Sequence, residues 1–477
     1  MASRCWNSCF GLALGVAVSV LLAACDPCPK CTMKKTTPTP TLTPTAKPTA
    51  TPTAPPPPTV TPSHTPTPTI TATATPTATP TPAPNACLPS SSIAVLVQGT
   101  NATAYVPLGN WEDSTTGINV VPIESKSGLG TGGSPALVAT AHAANSCSSN
   151  SATGQTVCVA NNTDVYLING TTLASTLTSG ANSTMSFSGG DCQNCGVVVD
   201  STLNKALITI GLETGGPGGY QFLDLGGTPA FEAPIPAGGE TSEDVSIDPV
   251  RHLILSPNEQ SNYQLVNIGV SPATLFNNTS LESTSFPTFD SAAEDCTTGI
   301  ALSTDEGTGN LFITDLTQAT FTPAAAPSPG ATPSPGTWSA PGQLQSFPEF
   351  ADFSAGTCGI AVAPGTHLAI VTGEFGGNVE GVIQLPSTSG SGTPAVVDWV
   401  SFTVPSDPTG VVWDEGFDPH TVTAYVSPNT SKALGILGNS SNTFVAIVDM
   451  AGLLSAPRTG HVVNNPLPAG LVTFVPQ

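Results

Sequence analysis

Seven carboxylates stand out for their spacing. Asp191, Glu243 with Asp244, Glu294 with Asp295, and Asp414 with Glu415 each come just ahead of a short apolar run. If those runs are equivalent strands, the carboxylates gather in one place. Converging carboxylate oxygens can hold a hard divalent cation such as Ca²⁺, which takes roughly six to eight oxygen ligands, and a bound ion could polarise a carbonyl or activate water. The same acids also have a structural reading, because Asp and Glu in polar loops cap turns through their side chains. His420 opens another such run and could face the same place as a base or ligand. No other histidine holds an equivalent position. G-x-S-x-G, H-E-x-x-H, a P-loop and a strand-to-helix G-x-G-x-x-G are all missing, so no hydrolytic triad can be assembled from motifs.

Twelve cysteines complete the reactive groups. Cys147 and Cys158 flank the polar loop 148–156, an arrangement suited to a hairpin disulfide. Cys192 and Cys195 form a C-x-x-C that precedes a strand rather than a helix, so the helix N-terminus that stabilises a thiolate is missing and structural bridging is expected. Cys296 and Cys358 precede corresponding runs and can pair if their Cα atoms come within about 7 Å.

The elements that must position these groups are short strands. Between Asp191 and Leu225 lie three runs, 196–199, 206–210 and 220–225, separated by segments rich in Ser, Asn, Gly and Pro. The first is apolar throughout, as in a strand buried on both faces. The third run recurs seven times, at 120–123, 166–169, 222–225, 265–268, 313–316, 382–385 and 447–450, and the second recurs at 205–207, 251–253, 309–311, 366–368 and 432–434. No long amphipathic helix follows residue 87. Repeats of about 40 to 50 residues built from three or four short strands specify an all-β chain folded as a β-propeller, with seven blades the expected count. Tandem β-sandwiches and a β-helix are the competing architectures. In a propeller, the seven carboxylates and His420 would meet at one mouth of the central channel. The runs 92–97 and 471–475 are expected to close the ring by pairing within one blade, and the segments 323–341 and 386–394 read as loop insertions.

The N-terminal part carries an address. Arg4 precedes an apolar run, 10–22, that is short for a bilayer span. It ends in Leu22-Ala23-Ala24-Cys25, which resembles a bacterial lipobox. The resemblance implies a signal peptide over 1–24, a lipidated Cys25 and stable attachment to a membrane. Residues 25–86 are dominated by Thr, Pro and Ala, have almost nothing to bury and read as a disordered linker. The propeller would then occupy 87–477, outside the cytoplasm on the cell envelope.

Several runs, Gly359-Ile360-Ala361-Val362-Ala363-Pro364 with Leu368-Ala369-Ile370-Val371-Thr372, Phe444-Val445-Ala446-Ile447-Val448-Asp449, and Val245-Ser246-Ile247-Asp248-Pro249, resemble the YVTN-type propeller repeat, which is itself similar to the NHL type. The usual middle-strand Tyr is replaced by Ala369 or Ile254. The family includes lactonases, quinoprotein-like enzymes and many binding proteins, so the resemblance implies a fold and leaves the activity open.

Charge narrows the partners. Asp and Glu total 32 against 10 Lys and Arg, and within 87–477 the only bases are Lys126, Lys205, Arg251, Lys432 and Arg458. A field of that sign repels phosphate backbones, which excludes nucleic acid, and attracts cations. Two functions follow. One is a membrane-tethered binding or scaffold module for a protein or glycan. The other is a lactonase-like hydrolase with a divalent metal at the channel mouth.

Overall fold

Val, Ile, Leu and aromatic residues concentrate in runs such as Val197–Asp200, Lys205–Ile210 and Gly219–Asp224, which are buried on both faces. The turns between first and second strands hold a left-handed residue. Asn204, His252, His367 and Ser431 have φ of 51°, 56°, 58° and 57°, and in three of the four the side chain is put to use, as described below. The computed structural model describes residues 92–109, 114–160, 164–173, 175–178, 194–211, 218–237, 244–258, 263–279, 289–305, 309–325, 334–347, 356–373, 379–390, 392–411, 421–438 and 443–477.

These residues form seven sheets, in each of which the first three strands are consecutive and antiparallel. Blade 1 comprises Ala94–Gln98, Asn101–Pro107 and Ile118–Ser125, with Gly128–Leu129 and Ala136–Val138 sharing the fourth place. Blade 2 runs through Ala144–Asn150, Gln155–Ala160, Val165–Asn169 and Ser175–Thr178. Blade 3 has Val197–Asp200, Lys205–Ile210 and Gly219–Asp224, edged by Ala230–Phe231 and Ile235–Pro236. Blade 4 has Ser246–Asp248, Leu253–Ser256, Gln264–Asn267 and Thr274–Asn278, and blade 5 has Phe289–Asp295, Ile300–Asp305, Asn310–Asp315 and Gly342–Ser346. Blade 6 has Thr357–Ala363, Leu368–Gly373, Val379–Gln384 and Asp398–Thr403, and blade 7 has Val422–Val426, Ala433–Leu437, Phe444–Asp449 and Val472–Pro476.

The first strands touch in succession around a circle, and that of blade 7 touches that of blade 1. One hydrophobic cluster fills each of the seven seams, so every blade buries both faces against its neighbours. This is a seven-bladed β-propeller. Among the described residues no helix is long and apolar enough to cross a membrane.

The ring closes differently from the expectation. The N-terminal strand Ala94–Gln98 is innermost in blade 1 and the C-terminal strand Val472–Pro476 is outermost in blade 7, so no blade is shared between the termini. Across the last seam Ile93, Val106 and Val121 pack against Tyr425, Ile436 and Val445.

The Pro-rich insertion is also more than a loop. Thr320–Thr322 and Gly336–Ser339 pair as a hairpin, and Gly336–Ser339 lies parallel to Thr274–Asn278 on the outer edge of blade 4. The chain leaving the third strand of blade 5 thus reaches back over blade 4 before completing its own sheet. Blade 7 repeats the move, placing Arg458–Thr459 and Val462–Val463 on the edge of blade 6. Between them, the corresponding segment of blade 6 reaches blade 5, where Gly390 N–H donates to Asp315 at 2.6 Å and Val396 N–H to Gln345 at 3.1 Å. These arms cover sheet edges that would otherwise present unpaired backbone groups.

Candidate functional site

Antiparallel order gives the ring two ends: one where first strands begin, the other where they finish and turn into second strands. At the beginning end, Asp244 bridges in parallel to Ser291, whose hydroxyl donates to its carboxyl at 2.8 Å. Alongside, the Cys358 thiol donates to Asp290 at 2.9 Å, and Asp305 N–H donates to Thr357 Oγ1 at 3.0 Å. Asn145 Nδ2 donates to the Asn194 carbonyl at 2.8 Å. All are buried. A His–Asp pair that carries no sequence signal sits on the same end: His142 Nδ1 lies 2.7 Å from Asp164 Oδ2, with the Tyr166 hydroxyl donating to that oxygen at 3.4 Å. The two residues are 22 positions apart and match no motif, so only the fold brings them together.

The finishing end carries a repeated device. An Asp or Asn at the end of a first strand caps its own turn, and its second polar atom reaches the left-handed residue of the next blade. Asp200 accepts from Thr202 and Leu203 N–H through Oδ1, and its Oδ2 lies 2.7 Å from His252 Nδ1 of blade 4. Asp295 accepts from Thr297 and meets His367 Nδ1 of blade 6 at 2.5 Å. Asn150 caps Ala152 and Thr153 and donates to Asn204 of blade 3 at 3.0 Å.

Glu294 and Asp295 therefore do not precede an innermost strand as expected; they end one. Asp244 stands at the opposite end of the same pair of strands. The reason is that the first strand of blade 5, Phe-Asp-Ser-Ala-Ala-Glu-Asp, is small and polar, so the apolar strand after it passes for the first. Cys296 and Cys358 are separated in the same way. Cys358 lies inside the first strand of blade 6 and keeps its thiol, while Cys296 is disulfide-bonded in the turn after the first strand of blade 5, so they do not pair with each other. Cys147 and Cys158 do pair, facing each other across the hairpin of blade 2. Cys195 is disulfide-bonded. Asp191, Cys192, Glu243, Asp414, Glu415, His420 and Cys25 lie outside the described residues. Among the described residues, no three His, Cys, Asp or Glu side chains are grouped to hold a metal ion.

No protein-family model matches the chain, and no curated protein matches it significantly. Among solved structures, a chain from the crystal structure of a mitotic checkpoint complex is similar over 78% of this chain and 93% of its own, at 10% identity and a TM-score of 0.45. The propeller assignment rests on the seven sheets and their closed circle.

The two ends differ in charge. All five bases of residues 87–477 lie at the finishing end or on its arms, and four are paired: Lys205 with Glu232 at 2.7 Å, Arg251 with Asp248 at 2.5 Å, Lys432 with Asp449 at 2.5 Å, and Arg458 with Asp398. The beginning end has Asp164, Asp244, Asp290, Asp305, Glu380 and Asp407 among its described residues and no Lys or Arg.

Proposed function

We propose that the chain is a membrane-tethered, extracytoplasmic binding or scaffold module that offers the beginning end of its ring to a protein partner carrying positive charge. The charge asymmetry between the ends carries this reading. All five Lys and Arg of residues 87–477 stand at one end, four of them paired with acids, whereas the other end has six acids and no Lys or Arg among its described residues, and Asp191, Glu243, Asp414 and Glu415 precede first strands in the sequence. Such a field draws a basic surface and orients it. The lipobox-like Leu22-Ala23-Ala24-Cys25 and the Thr/Pro-rich 25–86 support the tether, and the YVTN/NHL-type resemblance supports a repeat fold often used for binding. The hydrolase reading ranks second, because the carboxylates it would gather around a Ca²⁺ ion include Glu294 and Asp295, which lie apart from Asp244.

The test is capture of the full chain on an immobilised basic protein and on neutral glycans. The expected result is retention by the basic protein that falls steeply as salt rises past about 0.15 M, where the screening length is about 8 Å, with Cys25→Ser releasing the chain from the membrane fraction and leaving capture unchanged. Salt-independent capture, or capture by neutral glycans alone, contradicts the proposal.

A further inference from the structure

The seam between blades 4 and 5 lacks the latch seen at the three seams that join blades 2 to 3, 3 to 4 and 5 to 6. In blade 5 the left-handed turn position is Gly299, with φ 76° and no side chain to answer Asp248 of blade 4. A Cβ placed there would lie 2.7 Å from Arg251 Nη2, so the guanidinium occupies the space that a latch residue would take. Arg251 binds Asp248 at 2.5 Å and lies 3.7 Å from Glu294 Oε1 of blade 5. No donor reaches either oxygen of Glu294, its side chain has no solvent exposure, and the Asp248 carboxyl is placed to accept a proton that Glu294 carries.

The charges around this carboxyl do not balance. From blade 4 it meets the Asp248 carboxyl, the Arg251 guanidinium and the buried Tyr263 hydroxyl. From blade 5 it meets Asp295, committed to Thr297 and His367. Asp315, which also acts on Arg251, is held by Thr317, Gln318 and Gly390. Two fully buried carboxyls, Asp248 and Glu294, thus share one guanidinium. A second ionised carboxylate in that space would be an uncompensated buried charge, which costs several kcal/mol in proteins generally, and a bound proton removes it.

We propose that the seam between blades 4 and 5 is a proton-dependent joint, closed while the Glu294 carboxyl holds its proton and strained when it loses it. In support, burial first and the Asp248 charge second push this carboxyl well above the ordinary range, against the opposing pull of Arg251. The sign follows from linkage. The folded chain keeps a proton that the unfolded chain releases above about pH 4.3. Below that value the group makes no difference. Above it, stability falls with rising pH until the raised folded value is passed.

The experiment compares thermal unfolding of the full chain with that of Glu294→Gln, a neutral side chain of the same shape, from about pH 5 to about pH 8. Wild type is expected to lose on the order of 2 °C per pH unit relative to the variant. Parallel curves overturn the proposal. Should the variant not fold, amide exchange of the wild type decides, after correction for the intrinsic pH dependence of exchange. The first and second strands of blades 4 and 5 should open more readily as pH rises while those of blades 2 and 3 do not, and a uniform response overturns it.

Discussion

Glu124→Ala is expected to destabilise the fold by about 3 to 5 kcal/mol and to open it at a single seam. Glu124 is 2% exposed. It accepts hydrogen bonds from the Tyr425 hydroxyl at 2.9 Å, the Ser427 hydroxyl at 2.5 Å and Asn429 Nδ2 at 2.8 Å. These are contacts between the two ends of the sequence, since the partners lie 301 to 305 positions away. Burial first, then the neighbouring Glu124, raises the Tyr425 hydroxyl and fixes it as a donor. Alanine would leave two buried donors, the Tyr425 and Ser427 hydroxyls, facing an apolar seam, while the exposed Asn429 keeps the Thr100 and Ser125 carbonyls, and each buried unpaired group costs about 1 to 3 kcal/mol less whatever water can enter. Urea unfolding measures the loss; a change below about 1 kcal/mol would mean that packing alone closes the ring.

The second large effect is expected at Trp338. Trp338→Ala should cost about 3 to 5 kcal/mol, the usual range for deleting a buried aromatic side chain. Trp338 is 1% exposed and belongs to the arm that blade 5 lays on blade 4. Its indole N–H donates to the Tyr263 carbonyl at 2.9 Å, and its ring meets that of Tyr263 edge-on at 5.5 Å. Phe276, Phe289 and Phe312 fill the same cluster. Trp338→Phe keeps most of the volume and gives up the hydrogen bond, so its cost should be nearer 1 kcal/mol. A surface-like loss for the alanine variant, below about 0.5 kcal/mol, would show the arm to be a detached insertion.

How far the fold could be read in advance depended on which strand of a blade was being read. Each of the seven third-strand patterns falls on a third strand, because that position is apolar on both faces and ends in a polar residue that caps the next turn, as Asp224 and Asp315 do. First strands were harder. Ala144–Asn150 and Phe289–Asp295 are buried along their whole length, yet they read Ala-Asn-Ser-Cys-Ser-Ser-Asn and Phe-Asp-Ser-Ala-Ala-Glu-Asp. At the narrow inner edge of a wedge only small side chains fit, and Ser146 and Ser148 accept hydrogen bonds from the backbone of the next first strand. Hydropathy cannot see such a strand. That one omission moved Glu294 and Asp295 to the wrong end of the ring and set Cys296 against Cys358. Fourth strands were hidden for another reason: they are short and partly exposed, and two of them follow arms whose Pro, Gly and Ser content resembles a loop. The latches of Asp200 to His252 and Asp295 to His367 join residues 52 and 72 positions apart, so no local pattern marks them.

The first and last blades meet and close the circle without sharing a strand. Spin labels at Asn101→Cys and Thr430→Cys test it directly, since both sites are exposed and flank the contact in which Asn429 Nδ2 donates to the Thr100 carbonyl at 2.9 Å. Pulsed electron resonance on the full chain should give one narrow distance near the shortest the method can measure. A long or broad distribution would mean that blades 1 and 7 stand apart and that the ring is open.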